Sequence, residues 1–366
     1  MTNICFMNTN PAWGGGEKWR RDMALTARDR GYGVFAVAAP GLEQEDGLDR
    51  EPGVQTLRLT IGNTSFLNPA TLLRLAGFFT RRRIDHLVLS LPSDLKAGGL
   101  AGHVAGVPDI IYRRGIGIPT RNTVLNRFLY GRIITKLICN SEDTRRQVLK
   151  NNAGLIPPER VHILYGGLDL EALDAGEAQP LIPRRGSEVV VGAAGRLTEQ
   201  KGHHLLLEAA QVLKDRGRDV RFVIAGKGEL ASELKARARE LGVADAVEFA
   251  GFVTDMKRFL AGLDVFALPS LWEGFGFAQV EAMAMGLPVA AFDVSSIPEV
   301  VAHEETGLLA PAGDARALAE HLDRLVLDEK LRRGMGEAGR LRARERFELQ
   351  SAFDGFERIL ASPVQD

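Results

Sequence analysis

Short apolar runs alternate with longer amphipathic stretches along the whole chain, and no other feature restricts the fold so strongly. NICFMN, YGVFAVAAP and HLVLSLP in the first half, and EVVVGAAG, RFVIAG, AVEFAG, DVFALP and LPVAAF in the second, have the length and content of buried strands. Between them lie helical patterns: Glu17 to Arg30, with Trp19, Met23 and Ala27 on one stripe and Gly31 at its end, then HHLLLEAAQVLKDRG and ELASELKARARELG. Strands joined by helices pair in parallel and are covered on both faces, so the expected class is α/β with Rossmann-like sheets. The alternation breaks at Asp174 to Ser187, where Pro180, Pro183 and Gly186 fall in a stretch of little periodicity. The expected organisation is a first domain over 1–173, a linker over 174–187, a second domain over 188–345 and a terminal helical segment over 346–366. Two such sheets facing each other would border a cleft at the carboxyl ends of their strands, where open α/β sheets bind ligands.

With 366 residues, 45% hydrophobic and 25% charged, the chain is long enough for two cores. Its net charge of -1 speaks against a general nucleic-acid binder, which needs excess Lys and Arg to displace phosphate counterions. The charge is unevenly spread: from Arg58 to Lys136 there are 12 Lys or Arg against 3 acids. That excess fits either a solvated basic face or an anionic partner, such as a phosphorylated acceptor or a membrane surface. Cys5 and Cys139 lie in apolar strand-like runs, as reduced core thiols do. There is no basic n-region before an apolar stretch and no run of roughly 18 apolar residues, so a cytoplasmic protein is expected, touching the inner face of the cell membrane at most peripherally.

The most informative segment is PSLWEGFGFAQVEAMAMGLPVAAF, Pro269 to Phe292. It leaves a strand through a loop containing Gly274, Phe275 and Gly276 and enters a helix near Phe277. A helix starting there aims free N–H groups and a positive dipole end outward, a ready site for a diphosphate. Glu273 on the loop and Glu281 about one turn into the helix could both face that ligand, and a carboxylate can accept from vicinal ribose hydroxyls. In AAGRLTEQKGHH a strand ends at Gly195, and Arg196 and Lys201 flank the crossing into a helix. Two cations there can neutralise a leaving diphosphate, although such residues alone are often only surface solubility groups. In NPAWGGGEKW the run Gly14, Gly15 and Gly16 is not the spaced dinucleotide fingerprint; a ligand-free turn and a loop closing over a ligand both fit. The His residues show no metal-ligand spacing, and neither a nucleophile elbow nor a Walker loop is present, so no metal is expected.

GRLTEQKG, AGKGE, FAGFV and PSLWEGFGFAQVEAMAMGLPVAA resemble the successive blocks of glycosyltransferase family four, the retaining GT-B enzymes, over about Val189 to Leu309; WGGGE, NSEDTRRQVL and YGGLD resemble it more loosely. The resemblance implies two Rossmann-like domains, an N-terminal one for the acceptor and a C-terminal one for a nucleotide diphosphate sugar, by default a UDP-sugar, with no cofactor and no metal. It implies that Glu273 lies near the donor sugar and Glu281 on the ribose, that Arg196 and Lys201 hold the diphosphate, and that Gly15 and Gly16 approach the donor phosphate. Phe252 and Val253 would lie beside the base, with Gly195, Gly274, Phe275, Gly276 and Phe277 completing the donor site. The final helix, Glu348 to Leu360, would cross back to the N-terminal domain.

Two positions depart from the pattern: Arg114 stands where many members carry a His, and Gly166-Gly167-Leu168-Asp169 replaces an Asn-Gly before the aspartate. Glu17, Arg113 and Arg114 are candidate contacts to the acceptor or the sugar. The implied reaction retains the anomeric configuration, with the leaving diphosphate helping to deprotonate the acceptor hydroxyl. YRRGIGIPTRN resembles enzymes of bacterial surface polysaccharide or lipopolysaccharide core assembly, so a carbohydrate or glycolipid acceptor is expected. A sugar-nucleotide epimerase and a non-catalytic scaffold of the same fold are the alternatives.

Overall fold

The computed structural model describes residues 1–41, 47–176 and 178–363. Residue 177 of the expected linker and residues 364–366 of the expected terminal segment lie outside the described residues. Contacts divide the chain into two units, Met1–Gly167 with Leu349–Asp366, and Leu168–Glu348.

In the first unit, strands β1 (Asn3–Asn8), β2 (Gly33–Ala38), β3 (Val54–Arg58), β4 (His86–Leu89), β5 (Asp109–Arg114), β6 (Lys136–Cys139) and β7 (Val161–Ile163) form one sheet in the order β3-β2-β1-β4-β5-β6-β7. Every pairing is parallel. The central strands are buried nearly throughout, which is why they read as unbroken apolar runs rather than alternating ones. Cys5 and Cys139 are buried unpaired thiols, and burial raises both, Cys139 to about 12. The helix Gly15–Asp29 buries Trp19, Met23 and Ala27, the stripe expected from sequence.

The terminal helix Leu349–Ala361 belongs to this unit. Phe356 packs on Phe6 and Trp19 with ring centroids 6.0 and 6.3 Å apart. Burying such a ring contributes about 1.5–3 kcal/mol. The buried Lys136 ammonium donates to Asp109 at 3.0 Å and to the Leu360 carbonyl at 3.2 Å, placing a cation on carbonyls that the helix end leaves free.

In the second unit, β8 (Val189–Ala194), β9 (Val220–Ala225), β10 (Val247–Gly251), β11 (Val265–Leu268), β12 (Val289–Phe292) and β13 (Gly307–Ala310) pair in parallel in the order β10-β9-β8-β11-β12-β13. Both sheets are doubly wound, as the alternation required. The order reverses between β1 and β4 in one and between β8 and β11 in the other, and such switch points open a crevice at the carboxyl ends of the strands.

The stretch expected as a linker is held by the second unit: Ile182 is buried, Leu181 N–H donates to the Arg258 carbonyl at 2.8 Å, and Arg184 forks onto Asp264. The chain passes between units at Gly167–Leu168 and at Glu348–Leu349. Nor is the basic stretch from 58 to 136 a single solvated face. Arg58 pairs with Asp49, and Arg113 and Lys136 are buried, whereas Arg74, Arg121, Arg127 and Arg132 are exposed. Among the described residues no helix is long and apolar enough to cross a membrane, and no group of three or more His, Cys, Asp or Glu could hold a metal ion.

Candidate functional site

At the switch point of the second unit, the loops leaving β8 and β11 are fastened to each other. Leu271 N–H donates to the Gln200 carbonyl at 2.9 Å, and the Gln200 amide donates to the Trp272 carbonyl at 3.0 Å. Gly202 makes this approach feasible: its φ is +59°, and a Cβ there would lie 2.1 Å from the Pro269 carbonyl oxygen. The joined loops bring Lys201 onto Glu273. The ammonium forms an ion pair with Glu273 Oε1, and the fully buried Ser270 hydroxyl donates to the same oxygen at 2.7 Å. Glu273 is only 6% exposed, so this carboxylate is oriented by two donors in a low-dielectric setting. Gly195 lies against the Lys201 stem, and Arg196 is exposed one residue on, with its guanidinium 3.4 Å from Gln200 Oε1.

Gly274, Phe275 and Gly276 then lead into the helix Phe277–Ala284. Gly276, at φ +78°, precedes its first residue, and a Cβ there would lie 2.6 Å from the Gln279 amide nitrogen, which donates to the Phe275 carbonyl. The Phe275 ring is buried between Phe277 and Phe347, with centroids 5.2 and 5.5 Å away, so this residue offers a ligand its backbone only. Glu281 is the fifth residue of the helix and half-buried.

On the far side of β8, Phe252 is half exposed with the Lys227 ammonium 5.3 Å from its ring centroid, and Val253 is half-buried beside it. Leu197, Gly226, Lys227, Lys235 and Phe249 line a neighbouring cavity of about 280 Å³. His203, first in the helix His203–Asp215, is buried with no well-formed hydrogen bond at either ring nitrogen. Burial and then the Lys201 cation push it down to about 4, while the Arg196 carbonyl acts the other way, so it is neutral near pH 7.

The switch point of the first unit is built from different material. Asn8 and Asn10 both donate to Glu17 Oε1, at 2.9 and 3.0 Å, fixing a carboxylate that is 3% exposed in the first turn of the helix opened by Gly15 and Gly16. Arg20 donates to the Asn8 carbonyl at 3.0 Å. Asp94, fully buried beyond β4, accepts from the Thr9 hydroxyl and from Leu91 N–H; burial nevertheless pushes it up to about 7. At the end of β5, Arg113 is buried with its guanidinium 4.1 Å from the centroid of the Trp19 ring. Arg114 donates to the Tyr112 hydroxyl at 3.3 Å and to the Ile118 carbonyl at 2.6 Å.

The motifs therefore fall at two carboxyl edges. Arg196, Lys201, Glu273 and the glycine turn share one, and Glu17, Arg113 and Arg114 share the other. Sequence reading grouped Glu273 with Glu281 and Lys201 with Arg196, and missed the direct Lys201–Glu273 pair and its Ser270 support. The one available signal was a Ser three residues before a Glu at a strand end. Asp94 and Arg20 were also missed; both read as ordinary helix-start or helix-face residues.

Family models for Glycosyltransferase Family 4 and for Glycosyl transferases group 1 match residues 13–172 and 178–342. The chain belongs to glycosyltransferase family 4. The two models divide it where the structure places its two doubly wound sheets, the GT-B architecture. HepE of Anabaena, solved with UDP and glucose, shares this fold with a TM-score of 0.83 at 22% identity, covering 99% of this chain and 100% of that one.

Among curated relatives, the amylovoran biosynthesis glycosyltransferase AmsK of Erwinia amylovora is 37% identical over 182 residues, 47% of this chain and 44% of AmsK. The matched stretch thus spans less than half of that relative's length. The Campylobacter jejuni N-acetylgalactosamine-N,N'-diacetylbacillosaminyl-diphospho-undecaprenol 4-alpha-N-acetylgalactosaminyltransferase is 27% identical over 257 residues, 69% of this chain and 67% of that one.

Proposed function

We propose that this family 4 chain is a retaining glycosyltransferase that moves a sugar from a nucleotide diphosphate sugar, by default a UDP-sugar, to a hydroxyl of a carbohydrate or glycolipid acceptor in bacterial surface polysaccharide or lipopolysaccharide core assembly. The observation that carries this reading is the Lys201–Glu273–Ser270 cluster beside a glycine turn that opens a helix. A diphosphate at that turn meets the N–H end of the helix, the exposed Arg196 fork and the Lys201 ammonium. As the sugar–phosphate bond breaks, charge grows on the diphosphate, and these donors stabilise it without reorganising. The departing diphosphate then takes the acceptor proton on the same face, so the protein supplies position and charge rather than a separate base.

In this reading Glu281 accepts from the ribose hydroxyls, Phe252 and Val253 flank the base, and the first unit takes the acceptor at Glu17, Arg113 and Arg114. HepE, solved with UDP, supports the choice of base, and the Erwinia and Campylobacter relatives support the acceptor class. We further place the protein in the cytoplasm at the inner membrane face. Exposed Val124 and Phe128 stand among Arg121, Arg127 and Arg132 in a stretch with no acid between Asp109 and Glu142, which suits an anionic lipid surface.

The test is thermal stabilisation by UDP, GDP, ADP, dTDP and CMP, in the wild type and in Glu281→Ala. A ligand at a hundred times its dissociation constant stabilises by about 2.7 kcal/mol. One diphosphate should stabilise the wild type and act much more weakly on the variant; stabilisation by none of them would remove the donor site.

A further inference from the structure

Four cationic side chains of the Lys/Arg type are buried among the described residues, and three have acceptors. Arg20 donates to the Asn8 carbonyl, Lys136 to Asp109 and the Leu360 carbonyl, and Arg221 to the Pro183 carbonyl, Glu188 and Glu248. Arg113 is the exception. It is 3% exposed, its Nε is shielded from solvent with no partner, and its terminal nitrogens make no hydrogen bond to the protein among the described residues. Its one close contact is the face of Trp19. The Nε donor is thus withdrawn from water, and the terminal fork of a side chain that is almost wholly buried is left without a protein acceptor, an arrangement that is costly unless something completes it.

Charges nearby do not complete it. Glu17 attracts Arg113 from beyond bonding distance, but its carboxylate already accepts from Asn8 and Asn10. Asp94, in the helical turn after β4, is pushed toward its neutral form by burial. Against them stand Arg20, Arg113 and Arg114, so this edge carries a net positive charge. Gly115 follows, and a Cβ there would lie 3.1 Å from an Arg113 terminal nitrogen, so a side chain would crowd the fork.

We infer that Arg113 is the centre of a preformed oxyanion site at the carboxyl edge of the first unit, which takes one phosphate or carboxylate group of a substrate in a forked contact. The transferase reading supplies only the identity of the molecule that carries the group. Arg114, tied to Tyr112 and Ile118, supplies field at this site rather than the fork.

The experiment is a melting curve of the full chain in potassium phosphate, potassium acetate and potassium chloride at matched ionic strength, for wild type, Arg113→Met and Arg113→Lys. The wild type should melt higher in phosphate or acetate than in chloride, and whichever anion acts more strongly names the group. Arg113→Met should lose that gain and melt no lower than wild type in chloride, since it no longer buries an unanswered cation. Arg113→Lys, a charge without a fork, should need roughly tenfold more anion for the same gain. An equal anion effect in wild type and Arg113→Met, or none in the wild type, overturns the site. Stabilisation of the wild type by UDP reads the donor site separately, so failure here is distinguishable from failure of the transferase reading.

Discussion

The two carboxyl edges solve the same topological problem with opposite electrostatics. In the second unit the polar groups answer one another: Lys201 is met by Glu273, Glu273 by Ser270, and Gln200 ties the two loops together. In the first unit Glu17 is satisfied by amides, Asp94 is pushed toward its neutral form, and Arg113 has no acceptor. The first arrangement holds its geometry without a ligand, as a site that stabilises a developing charge should. The second stores unmatched charge, as a site awaiting a charged group would.

The sharpest way to break the contrast is Lys201→Ala. If the preformed edge carries the chemistry, turnover should fall on the order of a hundredfold or more. The loss should appear in kcat, measured as donor consumption with acceptor present. Unchanged turnover would reduce Lys201 to a structural partner of Glu273.

A second test uses the opposite titration of the two edges. Asp94 has a folded pKa of about 7, above its ordinary 3.8, so the stability it contributes is full below about 3.8 and is lost as pH rises through 7. His203, held at about 4 against an ordinary 6.5, behaves in reverse: its contribution is full above 6.5 and is lost as pH falls through 4. From pH 5 to 7 the Asp94 share of the loss is about 2 kcal/mol. Asp94→Asn should therefore tilt the urea-derived stability profile so that it rises from pH 5 to 6.5 and then levels, whatever its offset. A profile parallel to that of the wild type would show that Asp94 does not hold its proton.

How far these edges were legible in the sequence follows from the same physics. The strand–helix alternation, the glycine turn before Phe277 and the helix opened by Gly15 are local signals, and each lies where the sequence placed it. The Lys201–Glu273 contact joins residues 72 apart, and its cause is loop fastening at Gly202, which no local spacing reveals. The burial of Arg113 was hidden for another reason. Central parallel strands are covered on both faces and show no alternation, so DIIYRR gives no sign of which arginine turns inward. Counting it in a basic stretch averaged a buried cation with exposed ones. The unit boundary at Gly167–Leu168 was likewise masked, because the proline-containing stretch after it packs as part of the second unit.

The most direct measurement of the central claim is amide hydrogen exchange with and without saturating UDP. If the preformed edge of the second unit is the donor site, UDP should slow exchange over residues 195–203 and 272–281, with little change over 8–17 and 109–115. Protection confined to the first unit, or none in either, would contradict the account.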